Sequence, residues 1–332
     1  MSSQAAAVLF AGVVAYAVFG GADFGAGFWD LTAGGAERGR RPRALIDHAI
    51  GPVWEANHVW LIYCLVMAWT AFPPAFVAIM TTLYIPLGLA ALGIVLRGSG
   101  FAFRKALVQT SERRITGAVF ASSSVITPFF FGAVAGGIAS GRVPRGGGGD
   151  ALESWLNPTS LLGGGMAVVT AAYLAAVFLT AEARTRKVPD LEDHFRRRAI
   201  AAAVVAGALS AAGIFILRAD APHLFSRRVG PGLPLLLLLS GASGLAALLL
   251  LRRADPRLLR VLAVAAVAAV LVGWGVGQYP NLLATHLSFA KAAAPDPTLR
   301  SVLVVFGAAA LLIVPSLALL YFLQQRGRLE GG

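Results

Sequence analysis

The chain alternates between long stretches without a single charge and short stretches that hold nearly all of its Lys and Arg. The charge-free windows are 1–22, 56–96, 115–141, 154–181, 199–217, 229–251, 261–290 and 301–325. A helix needs about 20 apolar residues to cross the hydrocarbon core of a bilayer. Each window therefore fits one span, except 56–96, which fits two. Phe72-Pro73-Pro74 marks the turn between those two, because proline removes a backbone donor and disfavours helix in the residue before it. The pattern predicts an all-α polytopic membrane protein with nine transmembrane helices in a single integral membrane domain over 1–332. The helices are expected near 4–28, 51–71, 74–96, 115–140, 158–182, 199–217, 233–251, 261–280 and 300–323.

Composition agrees. Charged residues are 13% of the chain and 57% are hydrophobic, against roughly 25% charged in a soluble domain. The net charge is +12, but the basic residues are dispersed between apolar windows, so membrane orientation explains them and no nucleic-acid partner is expected. With the N-terminus outside, 21 of the 28 Lys and Arg fall in inner loops, which predicts an N-out/C-in topology. The first window lacks a basic n-region and leads directly into a Gly-rich segment around Asp23, so a retained helix is expected rather than a cleaved signal peptide. Residues 142–155, with Gly146–Gly149, read as a flexible outer linker, and 190–198 as an amphipathic inner connector. The pairs Gly21/Gly25, Gly132/Gly136 and Gly273/Gly277 would permit close helix packing.

Against this background two acids stand out, since an ionised carboxylate inside a membrane is costly. Asp23 lies near the inner end of the first helix, and Glu55 about one turn into the second. They share a depth on the cytoplasmic side, and His58 follows Glu55 by three residues on the same helix face. Two carboxylates and an imidazole at one depth suit the mouth of a proton path. The inert alternative has Glu55 favouring the positive end of its helix and Asp23 pairing with Arg97 or a loop arginine.

Cys64 is the single cysteine and no CxxC occurs, which excludes an internal disulfide, a zinc ribbon and c-type haem attachment. Of His48, His58, His194, His223 and His286, only His58 is expected inside the membrane, with Met67 and Met80 in the other half. A haem or metal held by this chain is therefore not expected, nor is a catalytic residue. Trp54 and Trp69 fall near the two faces as interfacial anchors do, and Trp60 and Tyr63 lie deeper. Packing is their ordinary role, and lining a ligand or gas route the other.

The segment Gly21-Ala22-Asp23-Phe24-Gly25-Ala26-Gly27, followed by Ile50-Gly51-Pro52-Val53-Trp54-Glu55-Ala56-Asn57-His58-Val59-Trp60-Leu61, resembles subunit II of the cytochrome bd quinol oxidases. The likeness continues through Phe72-Pro73, 96–104, Gln278-Tyr279-Pro280, 295–299 and the last helix with Pro315 and Tyr321. This resemblance implies two four-helix bundles plus a peripheral helix, and an obligate partner, subunit I, that holds two b-type haems, one d-type haem and the quinol site. It implies a bacterial inner-membrane enzyme that oxidises quinol and reduces O2 to water, taking protons from the cytoplasm. Asp23, Glu55 and His58 would then serve the proton route. Trp60 would lie near a gas route, with Trp54, Asn57, Arg97 and Arg104 in support. The resemblance leaves room for a bound quinone or lipid and for small single-helix accessory subunits. Ala102 stands where some members carry an acid. The competing reading is a stand-alone proton-coupled secondary transporter using Asp23 and Glu55, although no matching pair of interrupted helices marks an internal repeat.

Overall fold

A computed structural model of the chain describes residues 1–50, 54–106, 110–226 and 232–325. The described part is helical apart from one small hairpin. Helix α1 (Ser2–Leu31) is an uncharged run as far as Asp23. After a turn at Gly34, whose φ of +97° suits glycine, the arginine-rich segment forms α2 (Ala36–Ile50). Here the structure adds an element that hydropathy hides. Arginine is a good helix former, and α2 buries Leu45 and Ile46 while its arginines stay on the surface.

The next charge-free window is broken more than once. Helices α3 (Trp54–Asn57) and α4 (Val59–Ala71) meet at His58. Phe72 then turns the chain by 119° into α5 (Pro73–Thr82). Both prolines occupy the first positions of α5, where no donor is required. Helix α6 (Tyr84–Ala106) follows, then α7 (Thr110–Ala139), which carries Pro128 without a break. Helix α8 (Pro158–Thr185) is capped by Asn157, whose side chain accepts from Ser160 N at 2.9 Å. Helix α9 (Pro189–Asp220) absorbs the expected connector 190–198 into its first turns. Then come α10 (His223–Ser226), α11 (Gly232–Leu250) and α12 (Pro256–Gln278), the last capped by Asp255. Strands β1 (Asn281–Leu283) and β2 (Leu287–Ser288) pair antiparallel, and α13 (Phe289–Ala292) and α14 (Asp296–Gln325) close the chain.

Among the described residues, seven helices are long and apolar enough to cross a membrane, or eight if the bent pair around Phe72 counts as one span. Helix α11 contributes a shorter apolar stretch, Pro234–Leu250. Helix α8 lies at the centre, packed by α1, α7, α9 and α12, with α6 on α7 and α11 on α12. Lipid is as apolar as leucine, so close backbone approach and hydrogen bonds must hold these helices together. A Cβ on Gly25 would collide with the Ala171 carbonyl of α8, and Gly132 and Gly163 face each other in the same way between α7 and α8. Gly277 faces open space, so the Gly273/Gly277 pair does not act as such a contact.

Two buried clusters result. One, near the N-terminal end of α1, gathers Ala5, Met67, Phe72, Leu83, Trp155 and Leu287. The other, toward its C-terminal end, gathers Trp29, Ile46, Phe101, Phe120, Leu174 and Phe195. The segment 142–155, expected as a flexible linker, is instead tied down. Val143 and Trp155 are buried, Gly149 N donates to Thr82 Oγ1 at 3.3 Å, and Arg142 pairs with Asp220.

Candidate functional site

Where α1, α6 and α7 meet, a charged pair is enclosed in apolar surroundings. Arg97 is 1% exposed and Asp23 4%. Arg97 Nη2 donates to Asp23 Oδ1 at 2.9 Å and to the Asp23 carbonyl at 3.1 Å, while Nη1 donates to Ser124 Oγ. Ser124 in turn donates to the Phe120 carbonyl at 2.6 Å. The guanidinium lies between two rings, 4.9 Å from the centroid of Phe24 and 4.5 Å from that of Phe120, which adds cation–π attraction. Gly27 leaves the space this needs, because a Cβ there would strike Ser124 and approach Arg97 Nη1 to 2.9 Å. The Gly-Ala-Asp-Phe-Gly-Ala-Gly segment thus supplies the acid, a ring of its sandwich and two close approaches.

The pair is not saturated. Among the described residues Asp23 Oδ2, Arg97 Nε, His58 Nε2 and the Tyr16 hydroxyl are buried without a hydrogen-bond partner. These groups are neighbours. The His58 ring stands edge-on to Phe24 at 6.1 Å and to Tyr16 at 6.3 Å between centroids, and Asp23 lies within electrostatic reach of His58 and Tyr16. His58 Nδ1 is 2.9 Å from the Trp54 carbonyl. A carbonyl only accepts, so Nδ1 carries the proton, and Nε2 of the neutral ring is an acceptor. Asp23 Oδ2 and His58 Nε2 are thus two unpartnered acceptors, and the Tyr16 O–H is an unpartnered donor on a ring that touches the same His58 and Phe24 rings. Such an arrangement can hold and hand on a proton.

The other residues marked in the sequence fall in distinct places. Glu55 is exposed in the first turn of α3, and among the described residues its carboxylate has no ion pair. The structure does not join it to the buried pair. The expected common face of Glu55 and His58 is not kept, because the helix breaks at His58, between α3 and α4, with Glu55 exposed and His58 Nε2 buried. Asn57 is buried and donates to the Phe19 carbonyl at 3.3 Å, tying α3 to α1. Trp54 packs on Phe101 at 5.1 Å, and Trp60 stacks on Phe19 at 6.4 Å. The side chain of Arg104 lies outside the described residues. Tyr16 and Ser124 escaped the sequence reading. Tyr16 precedes Asp23 by seven residues on one helix face, and Ser124 ends a Ser-Ser-Ser run inside an apolar window, so both left a faint signal. No group of three or more His, Cys, Asp or Glu among the described residues is placed to hold a metal ion.

A family model described as cytochrome bd terminal oxidase subunit II matches residues 1–324. The chain is 28% identical over 258 residues to cytochrome bd ubiquinol oxidase subunit 2 of Bacillus subtilis (strain 168), covering 75% of this chain and 71% of the relative. It is 27% identical over 217 residues to cytochrome bd-I ubiquinol oxidase subunit 2 of Escherichia coli (strain K12), covering 62% of this chain and 54% of that one. In fold it is similar to a chain of the bd oxidase from Geobacillus thermodenitrificans, with a TM-score of 0.76, 23% identity, and coverage of 97% of this chain and 98% of that chain.

Proposed function

The chain belongs to the cytochrome bd terminal oxidase subunit II family, and on that premise we propose that it is the haem-free subunit of a quinol:O2 oxidoreductase, supporting subunit I and conducting protons for O2 reduction to water. As a family member it is a component of an oxidoreductase, a multi-pass protein of the bacterial inner membrane, and the partner of a subunit I in a complex that contains haem. Quinol as the electron donor is supported by the ubiquinol in the names of both relatives. In this reading the chain makes nine spans, as two four-helix bundles and a peripheral helix with the N-terminus outside. That reading counts the seven long helices of the described residues together with the bent segment around Phe72 and the short helix α11. A bound quinone or lipid and small single-helix subunits belong to the same proposal.

The haems of the complex supply the electron transfer to O2. Contacts made by four of the five histidines support the haem-free reading. Rings of Tyr16, Phe24 and Trp54 pack around His58 at 6.1–6.3 Å between centroids. His223 and His286 present Nε2 to the carbonyls of Ala139 and Gly141, each at 2.8 Å, and His48 meets Arg186. What this chain offers is a route for protons. Glu55 stands exposed at the start of the span, where it can exchange with water or with the partner. His58 lies one turn further, and Asp23 beyond it. Arg97 holds Oδ1 of Asp23, which keeps the carboxylate in place and leaves Oδ2 as the oxygen that exchanges a proton with His58 Nε2.

The observation that carries this reading is a buried acid with one oxygen held and one oxygen free beside an imidazole acceptor. A purely structural role has support of its own, since the Asp23–Arg97 pair is fully formed. The test of the assignment is purification of the tagged chain from native membranes in mild detergent, with a reduced-minus-oxidised spectrum. A second polytopic subunit with haem bands is expected. A colourless protein isolated alone would refute it.

A further inference from the structure

Tyr16 is, among the described residues, one of the helix side chains with a buried hydroxyl that has no hydrogen-bond partner. Its ring is gripped edge-on by three others, with centroids 5.8 Å from Phe131, 6.3 Å from His58 and 6.5 Å from Phe24. The ring lies against Gly20, one turn further along the same helix face. A Cβ at Gly20 would lie 2.9 Å from Tyr16 Cε2. The glycine therefore opens the slot that lets the ring carry its hydroxyl toward Asp23 and His58. A tyrosine used only as a hydrophobe would leave its hydroxyl at an interface or bonded to a carbonyl, as Tyr63 does with Val8 at 2.9 Å. The Tyr16 hydroxyl is instead buried without a partner among the described residues, as are Asp23 Oδ2 and His58 Nε2.

We propose that Tyr16 is a positioning residue of the proton route: its O–H is the donor that orients one ordered water shared with the two unpartnered acceptors, Asp23 Oδ2 and His58 Nε2. This rests on the proton-path reading and extends it to a residue that reading does not include. The donor count requires something of this kind. With His58 Nδ1–H committed to Trp54, the neutral imidazole and the carboxylate are each an unpartnered acceptor, and buried polar groups without partners are costly. The hydroxyl supplies one hydrogen, and a water held by all three groups supplies the rest. When a proton arrives it takes the place of that donor between the acceptors, and the hydroxyl rotates to keep one bond. The titratable and charged groups facing the hydroxyl are Asp23 on its own helix, His58 at the α3–α4 junction, Cys64 on α4 and Arg97 on α6.

The experiment uses the intact oxidase carrying Tyr16→Phe, which keeps all three ring contacts, and separately Gly20→Ala, which keeps the hydroxyl but displaces the ring. Turnover is counted per assembled complex, so that lower yield does not enter, and the infrared carboxyl band that Asp23→Asn removes is followed in parallel. Each variant is expected to slow quinol-driven O2 reduction by about fivefold, the factor that one hydrogen bond corresponds to, with the KM for quinol unchanged. The Asp23 band should shift, and the double variant should be no slower than Tyr16→Phe alone. Unchanged turnover and an unmoved band in Tyr16→Phe, while Asp23→Asn is slow, would overturn the role of Tyr16 and leave the proton path standing. Full activity in Asp23→Asn as well would overturn both.

Discussion

Two arginine–aspartate pairs stand at opposite ends of the helix bundle, and they use their carboxylates differently. Asp220, at the end of α9, is saturated. Arg142 reaches it through two nitrogens, at 2.5 Å and 3.0 Å, and Thr159 donates to it from both its hydroxyl (2.6 Å) and its amide (3.1 Å). The arginine is a third exposed, and the pair fastens the loop after α7 to the ends of α8 and α9. Asp23 is enclosed far more completely, yet it receives one arginine nitrogen on one oxygen and leaves the other free beside His58 and Tyr16. A saturated carboxylate is a clasp. In the proposed route, a buried carboxylate with a vacant lone pair next to an acceptor imidazole serves as an exchange point, its unmet bonding met in turn by a proton and by a donor. Burial separates the two sites only by degree, and the count of bonds is what sets a filled carboxylate apart from a half-filled one.

The sharpest break of this comparison comes from Arg97→Met. It leaves Asp23 as an unpaired buried charge, which costs roughly 3–5 kcal/mol, so the yield and thermal stability of the complex should collapse. Adding Asp23→Asn to it removes the charge, and should restore assembly without restoring turnover. At the other pair, Asp220→Asn should lower thermal stability by about 1–3 kcal/mol, the cost of hydrogen-bonding groups left unmet. Turnover per assembled complex should stay unchanged there, and a slow but stable Asp220→Asn enzyme would erase the contrast. Glu55→Gln should alter stability by no more than about 0.5 kcal/mol, as exposed substitutions usually do, while slowing proton uptake.

The smallest effect is expected in the loop 142–155. The amides of Glu153 and Leu152 donate to Asp150 and hold its carboxyl below the ordinary carboxylate range. Its folded-state pKa is depressed, so its contribution to stability is present above the ordinary aspartate value and is lost as pH falls through the lower folded value. Thermal scans of Asp150→Ala across acid pH should show that dependence reduced.

How much of this was legible beforehand follows from what hydropathy measures. Charge-free windows reveal membrane helices because each must be about as long as the bilayer is thick. They do not reveal α2, whose arginines mask an amphipathic helix, nor the breaks at His58 and Leu83, which contain no proline. The loop 142–155 looked mobile because four glycines dominate it. Its order comes from Arg142 and Asp220, which are 78 residues apart and have no common sequence signal. Asp23 could be singled out from the cost of a charge in an apolar helix, and Arg97 named among its partners. The separation of Glu55 from His58 could not be read, because a spacing of three shares a face only within one unbroken helix, and the chain breaks between α3 and α4 at His58. Tyr16 was hidden for a different reason: one hydroxyl in an apolar run looks like packing until its surroundings are known.

The central claim is that the free oxygen of Asp23 passes protons. The direct measurement is proton uptake by the intact oxidase in sealed vesicles, following a single pulse of O2 to the quinol-reduced enzyme, with Asp23→Asn beside the unaltered protein. Asparagine keeps an acceptor for Arg97 but cannot take up a proton. The account predicts that uptake and the step of O2 reduction coupled to it slow by at least roughly 100-fold, as expected for losing an acid–base group, while the initial reduction of haem by quinol is unaffected. Uptake at the unaltered rate in a correctly assembled Asp23→Asn enzyme would contradict the account and leave the Asp23–Arg97 pair as a second clasp.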